Sequence, residues 1–380
     1  MECSAVAFFL VSATAGQAES TLPPGFRSYP SHYYVIHTDL PESQVQEAVW
    51  RLTRMFEAYR ARTQAFTGKI TTLFPFYLFG KAEDYYAAGG LPGSGGVYTG
   101  QALLAIAEKQ CSAAPWSTLQ HEGFHQFLDK AVGGDVPVWV NEGLAVYFEE
   151  AIFTGDGMVS GIVPQRRLER LRTLMRDDRV RPLAEMMLLE RNVWNHALSA
   201  DNYLQAWSMA HFLAHADDGK YRPAFDRFLH DMSLKGWTWE HAWTTHFGPD
   251  VAAFEAAWRK YWLAMADDPS RDLYDQAVVA SLTSFLARAD SQGQRFDNAE
   301  MFLLAARAGK LKSHVDDWLP PSRLEYALDR VERTGAWTLI AQGRQPPRLE
   351  CRTPAGVTWV GSFTVTAGRA SQVEVTRVGA

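Results

Sequence analysis

Apolar residues along this chain recur at two different periods. Over residues 42–65, Val45, Ala48, Val49, Leu52, Met55 and Phe56 fall on one side of a 3.6-residue repeat and predict an amphipathic helix. Residues 33–37 and 74–79 are short β-rich runs, the second ended by Gly80, and read as strands. Residues 97–99 and 103–107 read as a hairpin turning about Gly100. The glycine-rich stretch 89–96 precedes that hairpin and reads either as a lid or as a connection needing special backbone angles.

The helical period returns further along. Phe127 and Leu128 extend the apolar side of one helix, Gly133-Gly134 breaks it, and Asp135 with Pro137 supplies a cap and first turn for the next. Val138, Leu144, Ala145, Phe148 and Ile152 carry that second helix to Thr154-Gly155. Residues 163–264 are mainly helical, with one stripe of Leu168, Leu171, Leu174 and Met175. A dense aromatic set at Trp237, Trp239, Trp243, Phe254, Trp258, Tyr261 and Trp262 reads as core, because aromatic stripes at helical spacing are usually buried. Asp267-Asp268-Pro269-Ser270 marks a boundary. Beyond it, 274–289 and 298–309 read as helices, Pro320-Pro321 and Pro346-Pro347 bracket a helix and a strand at 337–340, and the end is a small β meander. The expected class is therefore α+β.

Composition narrows this further. Hydrophobic residues at 47% and aromatics at 13% can build a large core, and 380 residues divide most naturally into two or three units. The net charge of −6 is modest, and no basic run argues for nucleic acid or an anionic membrane surface. No segment reaches the roughly 18 uninterrupted apolar residues that a spanning helix needs. Residues 5–11 form a short apolar run, and Gly16-Gln17-Ala18 is a small-residue site where a signal peptidase could cut. Glu2 stands where a basic residue is usual, so the run is a signal peptide of weak form, a signal whose start lies upstream, or a buried strand. Export to a periplasmic or extracellular compartment is the expectation. Cleavage there would discard Cys3 and leave Cys111 and Cys351, either as a disulfide or as two unrelated thiols.

The most specific chemistry lies at His121-Glu122-Gly123-Phe124-His125. Residues four apart on a helix share a face, so the two imidazoles can converge on one ion while Glu122 reaches a water beside it. Hydrolysis at zinc requires neutral imidazoles to hold the metal and a carboxylate to take a proton from water. Glu142 follows His125 by seventeen residues, room for the helix to end, turn back and begin another. It would then face the histidine pair across two antiparallel helices as a third ligand.

Together, His121, Glu122, His125 and Asn141-Glu142-Gly143 resemble the gluzincins, zinc peptidases that include thermolysin-like and aminopeptidase N-like enzymes. The run 138–149 is similar to bacterial gluzincin-like domains of no known function. The resemblance implies a zincin-like domain, which would cover residues 19–266 if the signal peptide read above occupies 1–18. That domain would have a mixed sheet, two zinc helices and a helical subdomain, followed by a helical segment at 267–335 and a small β region at 336–380. It implies Zn2+ held by His121, His125 and Glu142, with Glu122 as general base. It also implies a strand edge before His121 that pairs with an extended substrate. Residues 202–213 resemble the helix that follows the zinc helices in such domains, which makes Tyr203 the candidate donor to the oxyanion.

One departure stands out. Thermolysin-like enzymes carry an Asp one turn after the third ligand, where this chain has Val146, so His121 lacks an assigned carboxylate partner; Glu149 and Glu150 are either substitutes or solvated surface charges. His211 and His215 repeat the four-residue spacing without a following carboxylate and read as a core or helix-face pair.

The leading expectation is a zinc metallopeptidase acting on a peptide or protein substrate. A non-catalytic gluzincin-fold scaffold, or a zinc amidohydrolase acting on a cell-wall amide, would use the same residues. No Gly-x-Met-Glu-Asn motif of the aminopeptidases is present, which leans toward endopeptidase action.

Overall fold

Phe74, Phe76 and Leu78 alternate with Pro75 and Tyr77, and in the computed structural model the first set is buried and the second only partly so. The structure describes residues 23–63, 70, 72–107, 113–133, 136–196, 200–343 and 345–379. The expected signal peptide, the Gly134-Asp135 turn and Cys111 lie outside them. The chain is α+β and forms two units, one of residues 1–151 and 161–269, the other of residues 152–160 and 270–380.

The first unit holds a mixed sheet. Its strands β1 (Arg27–Pro30), β2 (Tyr34–Thr38), β3 (Phe74–Phe79), β4 (Gly96–Tyr98) and β5 (Leu103–Ile106) lie in the order β1-β2-β3-β5-β4. The central strands β2, β3 and β5 are parallel, while β1 and β4 run antiparallel at the two edges. Gly100 turns the β4–β5 hairpin with φ +85, as its sequence position predicts.

Helix α1 (Glu42–Thr63) covers the sheet through Phe56, whose ring meets Phe74 and Phe127 edge-on, each at 5.3 Å. After α2 (Ala82–Ala87), Tyr85 and Ser94 share a buried 2.6 Å hydrogen bond, and Gly90 lies so close to the Tyr85 ring that a Cβ would collide with it. Two residues of the glycine-rich stretch, Gly90 and Ser94, thus meet Tyr85, which favours the connection over the lid.

Next come α3 (Ala113–Ala131) and α4 (Val138–Glu149). Gly133, at φ +61, ends the α3 turn. Helix α4 starts directly after Pro137, with no side-chain cap. It also stops earlier than its apolar pattern suggests, because Ile152 lies in a strand rather than on the helix. The rest of this unit is helical: α5 (Gln165–Arg176), α6 (Leu183–Met187), α7 (Arg191–His196), α8 (Ala200–Gly219), α9 (Arg222–Met232), α10 (Trp239–Phe247) and α11 (Val251–Ala264). Helices α4 and α8 meet at Gly143, where any Cβ would run into the backbone carbonyl of Ala206. From α11, the indole N–H groups of Trp258 and Trp262 donate to Ser208 Oγ and Ser208 O, each at 3.2 Å, so this part of the aromatic set is core.

The second unit joins the helical segment and the β meander around one helix. A short hairpin, β6 (Ile152–Phe153) and β7 (Met158–Val159), is followed by α12 (Arg271–Ser291), α13 (Ala299–Arg307), α14 (Pro321–Leu328) and α15 (Val331–Thr334). Strands β8 (Ala336–Gln342), β9 (Gln345–Arg352), β10 (Thr358–Thr366) and β11 (Arg369–Val378) form an antiparallel sheet in the order β11-β10-β9-β8. Pro346 and Pro347 lie within β9 rather than outside it, where the pairing with β8 is irregular and a missing N–H is tolerated.

Leu349 and Phe363 pack with Leu282 and Leu286 of α12. Cys351 is buried with Val279 and Trp359, which pushes its thiol up to about 12. Buried Arg288 grips the hairpin with two hydrogen bonds to Asp156, at 2.7 and 2.9 Å, and pairs with Asp317 at 2.9 Å. Among the described residues no helix is long and apolar enough to cross a membrane.

Candidate metal centre

Helices α3 and α4 are joined before any metal is considered. The side-chain amide of Gln120 donates to the terminal carbonyls of α4, at 2.8 Å to Phe148 O and 3.2 Å to Glu149 O, acceptors that a helix C-terminus leaves unsatisfied. On the other side, Tyr59 of α1 donates to Gln120 O at 2.6 Å. The residue before His121 therefore locks three helices together, and His121, Glu122, His125 and Glu142 are all buried between them.

Both histidines present the same nitrogen to Glu142. The distances from His121 Nε2 and His125 Nε2 to Glu142 Oε2 are each 3.4 Å. Their other nitrogens are engaged elsewhere, His121 Nδ1 with Glu149 Oε2 at 3.1 Å and His125 Nδ1 with Asn141 Oδ1 at 2.6 Å. Those oxygens can only accept, so each Nδ1 carries a proton, and in the neutral form that holds a metal each ring turns a lone pair toward Glu142. Three acceptor atoms then converge, an arrangement that calls for a cation between them. Donors about 2.0–2.1 Å from a tetrahedral ion are themselves about 3.3–3.4 Å apart, so the spacing fits a small divalent ion. His121, Glu122 and His125 also offer ligand atoms within 4.8 Å of one another, making a buried group able to hold a metal.

The charges follow from this crowding. Burial opposes a charged His121 ring, but Glu142 and Glu149 outweigh it and raise its pKa to about 10. Burial likewise opposes the Glu142 carboxylate, yet His125 and His121 hold it well below its ordinary range. Without a metal the site therefore gathers a proton, and metal binding would release it. Glu122 differs: burial raises its carboxyl, against the pull of His125, His121 and the Tyr98 N–H, which donates to Oε2 at 2.8 Å. That N–H belongs to the edge strand β4, so the unpaired side of the strand faces Glu122.

Tyr203 of α8 comes near the ligand set, with its ring 6.4 Å from that of His121 and edge-on to buried Trp194 at 5.2 Å. Burial and then Glu142 raise its phenol, which stays a protonated donor at neutral pH. His211 and His215 stand apart from this group. His211 is buried and hydrogen-bonds Gly161 O at 3.1 Å, while His215 Nε2 lies 3.0 Å from the Tyr147 hydroxyl.

Three participants were legible in the sequence only in part or not at all. Asn141 was legible only as part of a resemblance, and its work is to hold His125. Glu149 was one of two candidates; its position one helical repeat beyond Glu142 brings it onto the His121 side, whereas Glu150 pairs with Arg167. Arg167 also meets Glu149, at 3.3 Å. Arg191 carried no signal at all, and its Nη1 lies 4.0 Å from Glu142 Oε1.

The comparisons with known proteins are sparse. No curated protein matches the chain. Residues 115–235 match a family model described as a protein of unknown function (DUF1570), a stretch that includes His121, Glu122, His125, Glu142, Arg191 and Tyr203.

Proposed function

We propose that this protein is a zinc-dependent metallopeptidase of the gluzincin type. The observation that carries the reading is the convergence of His121 Nε2 and His125 Nε2 on Glu142 Oε2, both at 3.4 Å, with each ring oriented through its other nitrogen. Two imidazoles and a carboxylate are a donor set that suits zinc. Zinc, when bound, supplies Lewis acidity toward a carbonyl and lowers the pKa of water.

The remaining steps belong to the chain. Glu122, its carboxyl raised by burial, accepts the proton of the attacking water and delivers it to the leaving amine. Tyr203 donates its hydroxyl proton in a hydrogen bond to the oxyanion as charge develops there. The outer edge of β4 pairs with an extended peptide through backbone hydrogen bonds. Val146 was the ground for a non-catalytic reading, and Glu149 supplies the carboxylate partner that Val146 does not, which supports turnover.

The test is metal analysis of purified protein beside a Glu122→Gln variant. One equivalent of zinc in both, with peptide cleavage only in the parent, is expected. Metal-free protein with cleavage unchanged in the variant overturns the proposal.

A further inference from the structure

Arg191 begins α7, the short helix whose buried Trp194 lies against Tyr203. Its guanidinium is placed unlike a simple partner for Glu142. At 4.0 Å from Glu142 Oε1, Nη1 is beyond hydrogen-bonding range, and although shut off from solvent it makes no hydrogen bond among the described residues. A buried N–H of this kind needs an acceptor, and an outside molecule can bring one. The Arg191 side chain as a whole is 38% exposed, so a ligand can reach it.

Resting on the peptidase reading, we infer that Arg191 is a specificity residue that binds a carboxylate of the substrate. A planar guanidinium with free N–H donors beside a reacting centre matches a carboxylate in two parallel hydrogen bonds, which a peptide amide cannot reproduce. Two sources share this chemistry, the α-carboxylate at a peptide's C-terminus and the side chain of an acidic residue. The assignment is to the first, and the experiment separates it from the second. Arg191 thereby turns the reaction toward the C-terminal end of a peptide.

The experiment uses the full zinc-loaded chain and three blocked tripeptides: acetyl-Ala-Ala-Leu with a free carboxylate, its C-terminal amide, and acetyl-Ala-Ala-Glu amide. Cleavage is followed in the parent, and binding is followed by calorimetry in Glu122→Gln. A preference of about tenfold or more for the free carboxylate over its amide is expected, lost in Arg191→Gln through KM rather than kcat, with zinc content unchanged and only partial rescue in Arg191→Lys. The Glu peptide equalling the free acid would move the assignment to an acidic side chain while retaining Arg191 as its anchor. Equal handling of acid and amide, a preference that survives Arg191→Gln, or no binding of any of the three at millimolar concentration overturns it. If zinc is bound and no peptide is cleaved, the peptidase reading fails separately, and the binding comparison still decides the role of Arg191.

Discussion

Glu149 Oε2 lies 3.1 Å from His121 Nδ1, across two helices and from a position seven residues beyond Glu142. A carboxylate one turn after Glu142 would start from a different part of the helix surface; this one extends from the last turn of α4, where Arg167 steadies it from behind at 3.3 Å. Loss of such a partner typically lowers metal affinity about 10- to 100-fold. Glu149→Ala should do so in a chelator-competition titration. Glu149→Gln, which can still accept from Nδ1, should lose less. Affinity unchanged in both variants would show that Glu149 does not orient His121.

Tyr203→Phe removes only the hydroxyl. As the donor to the oxyanion, it should cost about 10²- to 10³-fold in kcat, with zinc content and thermal midpoint unaltered. A variant as fast as the parent would leave Tyr203 as an ordinary half-buried aromatic.

Gly143 separates α4 from the Ala206 carbonyl of α8, and a methyl group there meets backbone rather than a movable side chain. Gly143→Ala should destabilise the protein by about 1–3 kcal/mol or more in denaturant unfolding. Because Glu142 is the neighbouring residue, zinc affinity should fall with it. A stable variant that binds zinc normally would mean that the two helices can separate freely.

His211 gives the fold a dependence on acid. Burial, reinforced by His215, lowers its pKa from 6.5 to about 3, against the opposing effect of the Gly161 carbonyl. The unfolded chain therefore takes up a proton that the folded chain refuses as pH falls below 6.5. The stability tied to the neutral ring is fully present above that pH and is lost toward about 3. His211→Gln keeps a donor for Gly161 O without titrating. The stability difference between parent and variant should shrink by roughly 1 kcal/mol per pH unit between about pH 6 and 4. A difference constant across that range would contradict the assignment.

In the second unit, Asp156→Ala removes both hydrogen bonds that hold Arg288 to the β6–β7 hairpin. Arg288 would stay buried beside Asp317 with its pairing to Asp156 lost, at a cost of about 3 kcal/mol in unfolding free energy. Replacing Arg288 and Asp156 together by apolar residues should cost less than the sum of the two single changes. Additive losses would show that the pair is not coupled.

Much of the fold was readable from periodicity. The α1 stripe, the β3 run and the Gly100 hairpin all depend on neighbours within a turn or a tight loop, where local sterics and burial pattern agree. Ile152 was misplaced because its apolar side chain continues the helical pattern, while its backbone is claimed by Val159 across the hairpin. The prolines of β9 were misplaced for a related reason. Their tolerance depends on an irregularity in β8, a different stretch of chain.

The same division runs through the candidate site. His121, Glu122 and His125 could be assigned from one helical repeat, and Glu142 from the length of a helix, a turn and a second helix. The choice of Glu149 over Glu150, the grip of Asn141 on His125 and the arrival of Arg191 beside Glu142 could not. Each depends on how α3, α4, α7 and α8 rotate and approach one another, and that is decided by contacts between residues far apart in the chain, such as Gly143 against Ala206 and Gln120 on the end of α4. A motif lists its donors because spacing along one helix is fixed by backbone geometry; which partners orient those donors is set by packing, for which the chain carries no local signal.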